Sequence, residues 1–270
     1  MKERIIHQGF ASVEARLLQS SHRDAIARLE PLLENEKFTT DCRHDRTYYN
    51  CLAPSFPGTS WDRFFDGALR IYEGACIPLF VDVAITGKCH CKCWHCFRAG
   101  YEQGVDFALD ELVSLFNELK AAGTVVIGIT GGEPMMRQDI SSVLQAIPDG
   151  VEGLFYSTGH RFTRQFVERL TETNVTRCLI SLDHYDADKV NAKRGHRRAF
   201  DDAMNAIRLL EDANLFTGIT LCATEEFGVA DEFKRYMEFA TKLGVDEIRI
   251  VLPIPQGNLR GRTSSVYTLT

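Results

Sequence analysis

The chain has 270 residues, a hydrophobic fraction of 44%, a charged fraction of 25% and a formal net charge of -6, which suits one large α/β core with an appendage. The acidic balance excludes a generally basic surface for nucleic acid or anionic membrane, and neither is expected as a partner. No run approaches a transmembrane helix and no N-terminal segment has the apolar core of a signal peptide, so the nine cysteines are read as reduced thiols of a cytoplasmic protein.

Residues 1–36 read as helical. Ile5, Ile6, Phe10, Val13, Leu17 and Leu18 fall at helical spacing, and Ile26, Leu29, Leu32 and Leu33 repeat it after a cap near Ser20 and Ser21. Pro31 interrupts the second stretch. Residues 37–60 read as irregular, with Pro54, Pro57 and Gly58 as breakers. Cys42, His44 and Cys51 lie there at no strong ligand spacing, and the thiols are read as unpaired. A helix over 61–72 completes an N-terminal helical and irregular extension, 1–77, in which nothing carries chemistry.

A strand–helix alternation begins at Pro78. Apolar runs predict strands at 78–85, 125–130, 151–157, 176–182, 216–222 and 246–252. Helices are predicted at 109–122, 138–147, 161–172, 199–213 and 229–243, with Gly123, Gly150 and Gly244 at their ends or turns. The pattern implies a parallel sheet with right-handed crossovers, of a length suiting three-quarters of a barrel. This unit spans 78–256. Residues 257–270 read as the start of a C-terminal element, so the natural protein is expected to continue or to have this edge covered by a partner.

The first strand runs into a loop with four cysteines, Cys89, Cys91, Cys93 and Cys96. Three of them, Cys89, Cys93 and Cys96, have the spacing C-x3-C-x2-C. An iron–sulfur cube held by three thiolates keeps one iron open to a small molecule. A closed zinc site needs a fourth ligand, and Cys91, His90 or His95 would supply it. The spacing leaves both open. The second strand ends in Gly131, Gly132, Glu133 and Pro134: two glycines permit close backbone approach to a ligand, and the carboxylate behind them suits an ammonium group.

With these two motifs the chain resembles the radical S-adenosylmethionine (radical SAM) superfamily over roughly residues 78–256. The resemblance implies a partial (βα)6 barrel. It makes Cys89, Cys93 and Cys96 the ligands of a [4Fe-4S] cluster whose fourth iron takes the amino and carboxylate groups of S-adenosylmethionine. Gly131, Gly132 and Glu133 become the site for the amino group, and His95 holds the aromatic place before the last cysteine. The segment Ile180, Ser181, Leu182, Asp183, followed by Arg194 and Gly195, is similar to that of the peptide-modifying, sulfatase-maturating and cofactor-biosynthesis members. There Ser181 would contact the cofactor and Arg194 its carboxylate.

His184 and His160 stand where that subgroup has glycine and the Thr-Asn-Gly turn, and they are read either as exposed loop residues or as proton donors or substrate contacts facing the pocket. Polar groups after the other strands, including Ser157, Thr158, Thr224, Glu225, Glu226 and Gln256, would line the same face. Cys91 is read as a spare thiol, Cys178 and Cys222 as core residues, and Cys76 takes no role. The implied chemistry is reductive cleavage of S-adenosylmethionine to a 5'-deoxyadenosyl radical that abstracts hydrogen from a peptide, protein or small cofactor precursor. A reduced flavodoxin- or ferredoxin-type donor would supply the electron. The rival reading is a zinc-binding structural or regulatory module built on residues 89–96.

Overall fold

Six parallel strands in sequence order carry the fold. The computed structural model describes residues 4–28, 30–41, 45–100, 106–228 and 230–262. Cys42, His44, Leu29 and the expected element over 266–270 lie outside these. The strands are β4 (Phe80–Ala84), β5 (Val126–Thr130), β6 (Glu152–Ser157), β7 (Val175–Ser181), β8 (Phe216–Cys222) and β9 (Glu247–Val251). Each pairs with the next in parallel register, and the sheet order is β4-β5-β6-β7-β8-β9. All six lie within two residues of their predicted bounds.

The crossover helices are α5 (Leu109–Ala122), α6 (Ile140–Gln145), α7 (Arg164–Leu170), α8 (Ala187–Arg194), α9 (Ala199–Asp212) and α10 (Ala230–Leu243). Helix α5 shows why they form: Leu112 and Phe116 are buried, Leu109, Leu115 and Leu119 pack beside them, and this stripe faces the sheet. The helix stops at Gly123, at φ 107°, a left-handed residue that glycine adopts without a Cβ penalty. The main core lies between the sheet and these helices, from Val83 to Ala240.

The N-terminal extension departs from the expectation. Strands β1 (Arg4–Gln8), β2 (Lys37–Asp41) and β3 (Arg46–Tyr48) form a small antiparallel sheet, so Ile5 and Ile6 are strand residues and 37–60 is not irregular throughout. Between them lie the short helices α1 (Glu14–Leu17), α2 (Arg23–Ala27) and α3 (Glu30–Leu33), and α4 (Thr59–Tyr72) follows. The helical spacing over residues 5–18 was carried by Phe10, Val13 and Leu17, which do enter a local core with Phe38, Phe56 and Trp61. Ile5 and Ile6 are exposed instead, on a strand held by backbone pairing to β2.

The extension closes the N-terminal end of the strands. Tyr48 and Cys51 pack against Val125, Val126, Leu154, Leu179 and Phe216. Arg4 pairs with Asp246 at 2.9 Å, and Arg63 of α4 donates to the carbonyls of Gly150 and Lys120 at 2.9 and 2.8 Å. That end is plugged, which leaves the C-terminal end as the open one. Among the described residues no helix is long and apolar enough to cross a membrane.

Candidate active site

The last residue of every barrel strand, Ala84, Thr130, Ser157, Ser181, Cys222 and Val251, lines one cavity of about 780 Å³, within the usual size of small-molecule sites. Side chains alternate along a strand with a period of two. One layer deeper, Asp82, Thr220 and Arg249 therefore line the cavity floor two residues before Ala84, Cys222 and Val251, and Tyr156, next to Ser157, joins them there. The Arg249 guanidinium donates to the Tyr156 hydroxyl at 2.9 Å, and burial raises the Asp82 carboxyl while Arg249 opposes it. Gly128 makes room for that carboxylate, since a Cβ there would meet Asp82 Oδ1 at 1.8 Å. These floor residues lie inside strands that read as uniformly apolar, and the sequence reading missed them.

Cys89, Cys91, Cys93 and Cys96 all line the cavity mouth. None of Cys51, Cys76, Cys89, Cys91, Cys93, Cys96 or Cys222 is in a disulfide. The Cys93 thiol is brought down to about 6 by its hydrogen bond with Cys91, against the effect of burial, and the Arg194 guanidinium adds to this. Cys89 is lowered by the same Cys91 thiol, and burial raises Cys96. Cys91 thus sits against both neighbours. Thiolate character is what a metal ligand needs.

Two loops hold the cysteines in place. Gly132 and Glu133 donate their backbone N–H groups to the carbonyls of Thr86 and Lys88, both at 2.8 Å. Gly131 sits at φ +140° with a Cβ position 2.4 Å from Thr86 O, and at Gly132 a Cβ would lie 2.2 Å from Lys88 O. The glycines therefore serve the approach of one loop to the other as well as lining the cavity. Arg137 ties both ends of the cysteine loop by donating to Ile85 O and Phe107 O at 2.8 and 2.9 Å.

Glu133 is fully buried. Its carboxylate accepts from Ser157 Oγ at 2.7 Å, from Thr158 N and Oγ1 at 2.8 and 2.7 Å, and from Met135 N at 3.2 Å. Burial raises its carboxyl nonetheless. Ser157 and Thr158 thus act by orienting Glu133.

Ser181 lines the cavity at the end of β7. Arg194 does so from the last turn of α8, a helix that the sequence reading did not predict. It is buried against Asp183, Nε to Oδ2 at 2.5 Å, and its other end lies 3.9 Å from Cys93 Sγ. Asp183, also buried, accepts from Cys222 N at 3.0 Å, and Arg194 holds its carboxyl below the usual range against the effect of burial. His95 lines the cavity and burial lowers it to about 4, helped by Arg194.

His184 does not face the cavity. It is buried and accepts from Asp186 N at 2.9 Å, capping the turn into α8. Thr224 and Glu226 turn to Lys193 of α8 instead of the cavity. His160 faces His90. Asn258, beyond the predicted barrel, was missed: it lines the cavity and donates to Cys93 O at 2.8 Å. Cys222 lines the cavity rather than the core alone.

A parallel six-stranded partial barrel with a cysteine loop and a glycine-glycine-glutamate turn meeting at its open end defines a class of ligand-binding α/β barrels whose chemistry sits at the C-terminal mouth. Residues 83–240 match the model of the Radical SAM superfamily, and the chain belongs to it. It is 29% identical over 205 residues to the AdoMet-dependent heme synthase of Nitratidesulfovibrio vulgaris, covering 75% of this chain and 55% of that protein. It is 30% identical over 148 residues to the GTP 3',8-cyclase of Listeria welshimeri, covering 51% and 43%. The chain spans about half the length of the curated relatives it matches. Streptococcus suis SuiB bound to S-adenosylmethionine superposes with a TM-score of 0.62 at 19% identity, over 75% of this chain and 46% of SuiB. The protein anSMEcpe with bound AdoMet gives 0.55 at 15%, over 65% and 51%. At such identities these two show the fold, a partial TIM barrel.

Proposed function

We propose that this chain holds a [4Fe-4S] cluster through Cys89, Cys93 and Cys96 and binds S-adenosylmethionine beside it. The observation that carries the reading is that these thiols and the Gly131, Gly132, Glu133 turn share the mouth of one cavity. The donor set fits: three thiols, of which Cys89 and Cys93 are drawn toward the thiolate, with a buried guanidinium beside Cys93. When bound, the cluster supplies reductive cleavage of S-adenosylmethionine to a 5'-deoxyadenosyl radical that takes hydrogen from substrate.

The chain's own residues do the positioning. Gly131 and Gly132 leave backbone open to the cofactor's amino group, while Glu133 places negative charge behind them. Ser181 offers a hydroxyl from the opposite strand end. Arg194 acts on Cys93 through its charge and stays paired with Asp183. Asp82, Tyr156 and Arg249 at the floor supply polar contacts for a substrate.

Substrate is a peptide or protein, or a small cofactor precursor. The heme synthase and GTP cyclase names support the second, and SuiB solved with its precursor peptide SuiA supports the first. The electron comes from a reduced flavodoxin- or ferredoxin-type donor.

The test is anaerobic reconstitution with iron and sulfide, reduction with dithionite, addition of S-adenosylmethionine, and assay of 5'-deoxyadenosine. Production that is lost in Cys93→Ala is the expected result. A colourless protein that makes none overturns it and favours the zinc-binding module on residues 89–96.

A further inference from the structure

Beside the cysteine loop, four side chains from separate segments converge. His90 stands in that loop, His160 follows β6, His196 follows α8, and Asp202 lies in the first turn of α9. One ligand atom from each lies within 4.8 Å of those of the other three. The His90 and His160 rings stack at 3.8 Å, and His196 meets His90 edge-on at 4.6 Å. His160 Nδ1 and His196 Nε2 lie 3.2 and 3.9 Å from Asp202 Oδ2.

Two further observations separate this cluster from an ordinary hydrogen-bonded one. His90 Nε2 lies 3.3 Å from Cys91 Sγ, whereas His90 Nδ1 is buried and has no hydrogen-bond partner among the described residues, a cost of about 1–3 kcal/mol. Moreover, the residue before each of two histidines is a left-handed glycine that permits backbone contact. Gly159, at φ +85°, would place a Cβ 2.5 Å from Asp202 O, and Gly195, at φ +60°, 2.7 Å from Lys92 O. These contacts bring the turn carrying His160 onto α9 and the turn carrying His196 onto the cysteine loop.

We propose that His90, His160, His196 and Asp202 form a binding site for a divalent transition-metal ion of the zinc type, distinct from the thiolate site. Three imidazoles and one carboxylate suit zinc, while magnesium and calcium favour all-oxygen sets. Tetrahedral coordination at ~2.0–2.1 Å spaces ligand atoms by about 3.3 Å, so binding draws the four together modestly. Four protein ligands close the coordination sphere, which makes the ion structural. It ties the cysteine loop to α8, α9 and the turn after β6, adding to the Lys92 N–Arg194 O and Trp94 N–Lys193 O hydrogen bonds at 2.9 and 3.2 Å. This site does not depend on the cluster chemistry proposed above.

The experiment must keep the loop thiols from capturing the probe ion. In a full-length variant with Cys89→Ser, Cys91→Ser, Cys93→Ser and Cys96→Ser, zinc is measured by elemental analysis after dialysis against micromolar zinc. Cobalt(II) is then titrated in as a spectroscopic probe. The expected result is about one zinc per chain and a tetrahedral cobalt band without thiolate charge transfer. Adding His160→Ala with His196→Ala removes both signals, and Asp202→Asn, which keeps the side-chain shape, weakens affinity about tenfold or more. Far-UV circular dichroism confirms that each variant is folded. A folded serine variant that holds no zinc overturns the proposal, as does zinc content unchanged by the histidine substitutions.

Discussion

Glu133 shows how one side chain can be legible in its identity and illegible in its action. Its place after two glycines is a local pattern, but its partners Ser157 and Thr158 come from the end of the neighbouring strand. Removing the carboxylate leaves the buried donors of Ser157 and Thr158 unpaired at about 1–3 kcal/mol each. Glu133→Ala is therefore expected to melt at lower temperature even without S-adenosylmethionine, as well as to lose cofactor binding. Calorimetry of the ligand-free variant checks this, and a melting temperature equal to that of the parent would confine Glu133 to ligand contact. The same limit explains the pairing of named residues, and the floor residues, that sequence reasoning missed. Asp183 and Arg194 meet because α8 turns Arg194 back onto the end of β7, and Asp82 and Arg249 meet across the barrel floor. Spacing along the chain carries no trace of such approaches.

Among the elements, the barrel strands were readable because each is an apolar run bounded by polar loop residues, and α5 because its buried face recurs at helical period. Helix α8 was not, since Val190 and Arg194 are its only buried residues. Its ends did carry signals: Asp186 caps the first turn through its side chain, and Gly195 closes the last in the left-handed region. Strand β1 misled for the opposite reason, having apolar residues that stay exposed. The loops between elements carry the sharpest mechanical demand. A methyl group at Gly132 would lie 2.2 Å from Lys88 O, so Gly132→Ala must push the glutamate turn and the cysteine loop apart. The displaced backbone costs about 1–3 kcal/mol, and iron retained per chain after anaerobic gel filtration is expected to fall. Gly228→Ala, where no atom of the described residues lies within 4 Å of the added carbon, serves as the control and retains iron as the parent does. Equal iron in both variants would show that the two loops need not touch to hold metal.

For the molecule as a whole, the two ends of the barrel divide the labour. The N-terminal end is sealed by the extension, and one buried ion pair lies at the centre of that seal. Glu152, at the start of β6, accepts from Ser55 N and Oγ at 3.0 and 2.8 Å and from Arg177 at 2.8 Å. Arg177 is fully buried and also donates to Ala53 O. The pair therefore stitches the segment between β3 and α4 to β6 and β7. Breaking a buried pair by removing one partner leaves an uncompensated charge and costs about 3–5 kcal/mol, whereas removing both charges is often nearly neutral. Arg177→Met is thus expected to be strongly destabilised in urea, and Arg177→Met with Glu152→Gln to recover most of the loss. The cysteine loop belongs to the opposite end, so iron bound per folded chain should be the same in the single variant as in the parent under conditions where both are folded. A variant that keeps its stability would show that Ser55 and Thr176, whose Oγ1 donates to Glu152 at 2.9 Å, suffice to hold Glu152. One that folds but loses iron would show that the seal at the closed end sets the geometry of the open one, which the division of labour between the two ends does not allow.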